Sequence, residues 1–242
     1  MDKTNVARIG EMLARNSYPG RGIVAGKSAD GKSAAIAYFI MGRSENSRNR
    51  VFVPDGDDLV IHPHDPSKVS DPSLIIYSPV RNYKNFVIVT NGDQTDTIYE
   101  GLSSGKSFED SLKTRTFEPD FPNFTPRISA LLEFGDSGFT YKMSILKSAD
   151  DVGSACNRFT FDYSPLPGVG HFLHTYEKNG APLPSFTGEP RSIAIPDTAD
   201  GLFGEILENL DKKNGISLFV RYISLSDGRK TTRIYNKNEV RK

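Results

Sequence analysis

Three polar segments of the chain carry residue types suited to chemistry on a small anion. The first joins Y-P-G-R-G (18–22) to G-R-S-E-N-S-R-N-R (42–50), so that Arg21 precedes a cluster of Arg43, Arg48 and Arg50. Guanidinium forks are natural partners of phosphate and carboxylate oxygens. The second, V-T-N-G-D-Q-T-D-T-I-Y-E (89–100), runs from an apolar strand pattern through Asn91-Gly92 into a helix start rich in Asp and Thr. Such a junction presents amides, hydroxyls and carboxylates at one spot. The third, T-F-E-P-D-F-P-N-F-T-P-R (116–127), holds Glu118, Asp120 and Arg127 in a loop stiffened by three prolines. Each segment has a plainer reading beside it: a solvated loop, a helix cap by Asp93 or Thr95, and a structural crossover. None by itself names a reaction.

A fourth segment, G-K-S-A-D-G-K-S (26–33), matches the phosphate-loop pattern G-x-x-x-x-G-K-[ST], with Lys32 as the phosphate-binding lysine. That mechanism needs a strand before the loop and a long helix after it. The apolar run 34–41 is short and ends at Gly42, and no apolar run ending in a metal-binding aspartate follows. Asp30-Gly31 between two apolar runs instead predicts a hairpin turn.

The elements that must position these segments are mostly strands. Val6, Ile9, Met12 and Leu13 recur at helical spacing over residues 4–15, with Thr4 as N-cap. Strands are expected at 22–26 and 33–41, then near 59–62, 73–77 and 85–90. Helices are expected at 93–102 and 107–115, the second capped by Ser107. Strands return at 127–134, 138–146, 157–163, 170–176 and 191–195. Leu202, Phe203, Ile206, Leu207 and Leu210 form one face of a late helix, and a hairpin over 217–235 closes the chain. Strands and helices do not alternate one for one, which predicts an α+β fold. With no linker-like stretch, the chain reads as a single domain, 1–242, with 1–17 as a helical N-terminal extension.

Composition narrows the classes. The 242 residues include 30 basic and 30 acidic side chains, a net charge of zero, and are 37% hydrophobic and 25% charged. Mean hydropathy is −0.43. A whole-chain basic excess is lacking, which argues against a nucleic-acid partner, and nothing suggests a membrane. The lone Cys156 allows no intrachain disulfide and is expected to be a small buried residue. The N-terminus has no signal-like apolar run, so a cytoplasmic protein is expected. His62 and His64 would share a strand face, whereas His171 and His174 would point opposite ways. Neither pair has carboxylate or cysteine companions, so no metal or other cofactor is expected.

Taken in order, the motifs resemble the archaeal-type IMP cyclohydrolase family and its bacterial relatives. The resemblance rests on Y-P-G-R-G, R-S-E-N-S-R-N-R, S-L-I-I-Y-S-P-V-R, T-N-G-D-Q-T-D-T-I and F-T-P-R-I-S-A. It is strongest between Tyr18 and Arg127 and looser beyond, where R-F-T-F and L-F-V-R-Y look like bacterial members. Gln94 stands where archaeal members tend to have histidine, the 43–50 loop is slightly longer, and a helix precedes Tyr18. The resemblance implies a four-layered α-β-β-α sandwich like the N-terminal-nucleophile hydrolases. It also implies dehydrative closure of 5-formamidoimidazole-4-carboxamide ribonucleotide to IMP, with a purine ribonucleotide as the small-molecule partner. Met1 leads into a helix, so general acid–base rather than covalent catalysis is expected.

By the same resemblance, Tyr77 and Glu118 are the proton-transfer candidates, with Arg50 nearby. Tyr77 would need a neighbouring cation to serve as a base, since its ordinary pKa is about 10. Arg21, Arg43 and Arg127 are candidates for phosphate or carboxamide recognition; Asn91, Asp93, Thr95 and Asp96 for ribose and base. The rival readings are a non-catalytic purine-nucleotide binder, an amidohydrolase on the same scaffold, and a phosphate-loop ATPase. Self-association is compatible with all of them.

Overall fold

The computed structural model describes residues 6–69 and 76–238. Two antiparallel sheets dominate it. The six-stranded sheet contains β1 (Arg21–Lys27), β2 (Ser33–Met41), β10 (Val169–His174), β11 (Arg191–Ala194), β12 (Gly215–Ser224) and β13 (Lys230–Asn236), in the order β11-β10-β1-β2-β12-β13. The seven-stranded sheet is a meander in chain order: β3 (Val51–Asp55), β4 (Asp58–His62), β5 (Val80–Tyr83), β6 (Phe86–Thr90), β7 (Arg127–Gly135), β8 (Gly138–Ser148) and β9 (Cys156–Tyr163). The helices are α1 (Ile9–Arg15), the single turn α2 (Glu45–Arg48), α3 (Gln94–Ser103), α4 (Phe108–Leu112) and α5 (Ala199–Asn209).

Strand parity sorts the core. Ile23, Ala25, Ile36, Tyr38 and Ile40 of the first sheet pack with Phe52, Leu59, Val89, Ile128, Ala130 and Leu132 of the second. The alternate residues of the first sheet, including Val24, Ala37 and Phe39, pack with Ile9 and Leu13 of α1 and Leu202 and Ile206 of α5. On the second sheet, Ile88 and Leu131 pack with Ile98 of α3 and Phe108 and Leu112 of α4. In the central strands one face therefore meets the other sheet and the other face meets helices, as the period-two pattern requires.

Several expectations shift in detail. The strands β3 and β5 were not legible, because β3 holds Pro54 and β5 reads V-R-N-Y; β3 is an edge strand, where proline costs no ladder hydrogen bond. The strand expected at 73–77 falls mostly outside the described residues, and Ile76 and Tyr77 lie in irregular backbone. Thr4 is also outside. The helix expected at 107–115 is only Phe108–Leu112, with Ser107 Oγ accepting from the Asp110 amide at 3.0 Å. His62 ends β4 and His64 lies beyond it, so the two do not share a strand. Cys156 is half-buried rather than buried, because it opens a strand at the sheet's edge. Among the described residues no helix is long and apolar enough to cross a membrane.

The segment matching the phosphate-loop pattern is the turn of the β1–β2 hairpin. Asp30 accepts from Ser28 Oγ at 2.6 Å and the Lys32 amide at 3.0 Å, and the chain continues as a nine-residue strand. Lys32→Ala should therefore change stability by less than about 0.5 kcal/mol. Urea denaturation with and without magnesium ATP checks this; a nucleotide-dependent stabilisation lost in the variant would contradict the hairpin reading.

Candidate functional site

The arginines come together through strand parity. Arg21 opens β1 in register with Ile23 and Ala25, and Arg50 sits two residues before Phe52, so both belong to the face between the sheets. Both are nearly buried, as is Glu118. They line a cavity of about 330 Å³ together with Tyr18, Arg43, Asp120, Thr125 and Tyr176. That volume is at the lower end of the ~300–1,000 Å³ usual for small-molecule sites.

Glycine makes the entry to β1 possible. Gly20 has φ +81°, and a Cβ there would run into Thr175 Oγ1 and the Tyr176 ring. The close approach lets Thr175 Oγ1 accept from the Arg21 amide at 3.1 Å, which fixes where Arg21 starts. Gly20→Ala should cost about 2–4 kcal/mol from the left-handed backbone and the clash together. Denaturant unfolding measures it; an unchanged midpoint would refute this role.

The carboxyl and phenols of this site are perturbed by burial. Burial pushes the Glu118 carboxyl above its ordinary value, against the attraction of Arg21 and Arg127. Tyr77 Oη lies 2.8 Å from Tyr38 Oη, and both rings are buried. Burial also raises Tyr77, outweighing the pull of Arg50 and Arg21. The cations that a tyrosinate would need are present, yet the phenol stays protonated, which favours donation over base chemistry. Tyr38 rises well above its ordinary value, through burial first and Tyr77 second. Arg50 is lowered by burial and by Arg21, though a guanidinium keeps its charge. The Nε of Arg21 is buried with no hydrogen-bond partner among the described residues.

Arg43 is more peripheral. Its guanidinium lies 4.9 Å from the centroid of the Tyr18 ring and donates to Asn179 Oδ1 at 2.9 Å and the Gly180 carbonyl at 2.8 Å. Tyr18 stacks on Tyr176, whose hydroxyl shares a 2.5 Å hydrogen bond with Thr125 Oγ1.

The remaining candidates form a separate constellation. Arg127 opens β7 with the parity of Leu131, which faces α3 and α4 rather than the other sheet. Its Nη1 binds Gln94 Oε1 at 2.8 Å and Asp93 at 2.6 Å, and Arg115 holds the same Asp93 oxygen at 2.5 Å. Partial burial opposes charge on Asp93, but Arg115 and Arg127 keep its pKa below the ordinary value. Asn91 accepts from the Ile128 amide at 2.8 Å and Gln94 Nε2 at 3.0 Å, and donates to the Pro126 carbonyl at 2.9 Å. Thr95 Oγ1 is 2.5 Å from Thr90 Oγ1 and donates to the Gly92 carbonyl at 2.9 Å. Asp96 pairs with Arg81 at 2.7 Å. None of these five lines the cavity of Arg21 and Arg50. Arg127 instead lines a neighbouring cavity of about 520 Å³ with Arg115 and Cys156.

The network has a positional consequence. It ties the turn 91–95 to Pro126, Arg127 and Ile128, while Arg115 lies just before Glu118. Both flanks of the proline-rich loop are thus anchored through Asp93, and the Glu118 amide closes the loop on the Thr125 carbonyl at 2.9 Å. Within that loop Glu118, Asp120 and Thr125 face the smaller cavity, whereas Phe117, Pro119 and Phe124 face the larger. Sequence reasoning missed Tyr38; the available signal was one hydroxyl in the apolar run A-A-I-A-Y-F-I-M.

Histidines stay outside this site. His171 shares a 2.7 Å hydrogen bond with Tyr141, and His174 donates to the Tyr176 carbonyl at 2.9 Å. Burial lowers both to a pKa of about 4. Among the described residues no three His, Cys, Asp or Glu side chains gather as a metal site would require.

Residues 18–229 match the family model described as IMP cyclohydrolase-like protein. The chain belongs to the IMP cyclohydrolase-like family. Relatives named IMP cyclohydrolase include one from Methanopyrus kandleri, 36% identical over 119 residues, covering 48% of this chain and 59% of the relative. One from Methanothrix thermoacetophila is 33% identical, with coverage of 48% and 57%. Another from Methanococcus aeolicus is 30% identical over 165 residues, with coverage of 66% and 74%. The alignments thus span little more than half the length of the first two relatives. In this IMP cyclohydrolase-like family member the polar segments gather in two adjoining places: a buried cation–carboxyl cavity and the network that anchors its loop.

Proposed function

We propose that this protein closes 5-formamidoimidazole-4-carboxamide ribonucleotide to IMP with loss of water, by general acid–base catalysis. The observation that carries the reading is the cavity lined by Arg21, Arg50 and Glu118 with Arg43 at its rim; the Tyr38–Tyr77 pair is buried near Arg50 and Arg21 but is not part of that lining. The names of the relatives support the same reaction. We further read the two sheets and their flanking helices as one domain, a four-layered α-β-β-α sandwich of the N-terminal-nucleophile-hydrolase type.

The reaction asks for few groups. Carboxamide nitrogen and formyl carbon belong to one molecule, so holding them in contact supplies much of the acceleration. Glu118, made more basic than an ordinary carboxylate by burial, takes the amide proton as nitrogen attacks. Arg21 and Arg50 stabilise the oxyanion that forms at the formyl carbon. Glu118 returns that proton to the oxyanion, giving the carbinolamine hydroxyl, and the Tyr77 phenol, oriented by Tyr38, donates a proton as this hydroxyl leaves as water. The former formamide nitrogen gives up its own proton to the resulting phenolate as the carbon–nitrogen double bond forms, so both groups end in their starting states. Arg43, at the cavity's rim, suits the ribonucleotide phosphate. Asn91, Asp93, Thr95, Asp96 and Arg127 then act by holding the loop of Glu118 in place.

Incubation of the protein with the formylated ribonucleotide, followed by detection of IMP, tests the assignment. A folded protein that gives no IMP at high enzyme concentration would overturn it. Binding of IMP without turnover would point to a nucleotide binder, and hydrolysis of other amides to an amidohydrolase.

A further inference from the structure

The last strand of the larger sheet, β9, pairs with β8 along one side and with no named strand along the other. It is eight residues long, C-N-R-F-T-F-D-Y, and Asn157, Arg158, Phe159, Thr160 and Asp162 are all exposed. Phe159 is 43% exposed, an unusual place for a large apolar ring. Proline or a bulge commonly blunts such an edge, and β9 has neither: it contains no proline and pairs with β8 in unbroken register.

The order of side chains supplies the partner. When two copies of β9 run antiparallel with Thr160 opposite Thr160, Phe159 of each copy falls opposite Phe161 of the other. Arg158 falls opposite Asp162, and Asn157 opposite Tyr163. All these pairs follow from one two-fold axis at Thr160, as an isologous contact requires. Arg158, Thr160 and Asp162 share one face of the strand, and Phe159, Phe161 and Tyr163 the other. The charged pairs and the aromatic pairs would therefore lie on opposite faces of the joined sheet. A one-residue slip would break this correspondence, placing Phe against Thr and Arg against a ring.

The side chains are available for this role. Arg158 donates only to the carbonyls of Cys156 and Arg115, leaving its own charge without a carboxylate partner among the described residues. Asp162 lies 3.4 Å from Lys142, which is engaged more closely by Glu109 at 2.7 Å. Lys147 lies over the Phe159 ring, 5.6 Å from the centroid.

We propose that β9 is a homodimer interface, in which two copies of this chain join their larger sheets antiparallel about Thr160. The unpaired backbone groups of both edges then complete a ladder, and aromatic, Thr–Thr and opposite-charge cross-strand pairs stabilise it. The contact is independent of the reaction proposed above, because none of the β9 side chains lines the cavity of Arg21 and Glu118.

Sedimentation of the full chain across micromolar concentrations tests it, with circular dichroism of each variant as the folding control. The wild type should dimerise. Arg158→Asp alone, which sets Asp against Asp162, should weaken the dimer about tenfold or more, and Asp162→Arg likewise. The double exchange Arg158→Asp with Asp162→Arg should restore it. Thr160→Cys in a Cys156→Ser background should form a disulfide-linked dimer on oxidation. Directly opposite residues in an antiparallel pair lie about 4.5–5.5 Å apart at Cα, within disulfide reach. A monomeric wild type would overturn the proposal. So would a dimer that keeps its affinity in both single variants and does not cross-link through Cys at position 160.

Discussion

Glu118→Gln is expected to lower kcat for IMP formation by about 10²–10⁴-fold, the usual contribution of a positioned acid or base. The amide keeps the shape of the carboxyl but cannot take a proton from the carboxamide, so ligand binding should survive. Stability should change with pH. Burial raises the Glu118 pKa above its ordinary 4.5, so the folded protein binds the carboxyl proton more tightly than the unfolded chain does. Its contribution is fully present below the unfolded value and is lost as pH rises through the folded value. Above the folded value the wild type thus carries a buried charge that glutamine lacks. The melting temperature of the variant relative to wild type should therefore rise as pH rises from about 4.5 through the folded value. Steady-state kinetics and thermal melts across pH measure both halves. A variant with full activity would remove Glu118 from the reaction, and one whose stability relative to wild type fell as pH rose would contradict the direction of its pKa.

Arg21→Met should lower kcat/KM by about 10²–10³-fold and displace the acid limb of the pH–rate profile upward. The guanidinium has two roles in the proposed site. It faces the oxyanion, and it is the strongest of the cations that restrain the rise of the Glu118 pKa. Without it, burial and the like charge of Asp120 are opposed only by Arg127 and Arg50. The carboxylate form that acts as base would then dominate only at higher pH. The pH–rate profile separates this from a purely structural defect, which would lower activity without moving the limb. A smaller restoration is expected from Arg21→Lys, whose point charge keeps the attraction but not the fork.

Tyr77 illustrates how the site changes once burial is known. The family resemblance marked it as a proton-transfer candidate, and as a base it would need a neighbouring cation. Arg50 and Arg21 do lie near, yet the cost of burying a phenolate exceeds their attraction. The donor role follows from that balance of solvation and charge, which no spacing of residues encodes.

The motifs themselves were legible from residue order. The hairpin signal at Asp30-Gly31 and the apolar runs on either side of it led to the correct strands, and the arginine cluster, the N-G-D-Q-T-D turn and the proline-rich loop were visible as chemical segments. What local sequence determined was therefore the period of each element and the inventory of polar groups. The division of that inventory needed the tertiary structure. Arg21 and Arg127 look equivalent as arginines that open strands, but one has the parity of the inter-sheet face and the other that of the helix-facing side. The first meets Glu118 in a cavity; the second meets Asp93 and Gln94 in an anchor. Parity relative to a distant sheet depends on pairing partners far apart in the chain, such as β1 with β10 or β6 with β7. Residue order supplies the alternation, but only the packing of two sheets decides which side is buried against which neighbour.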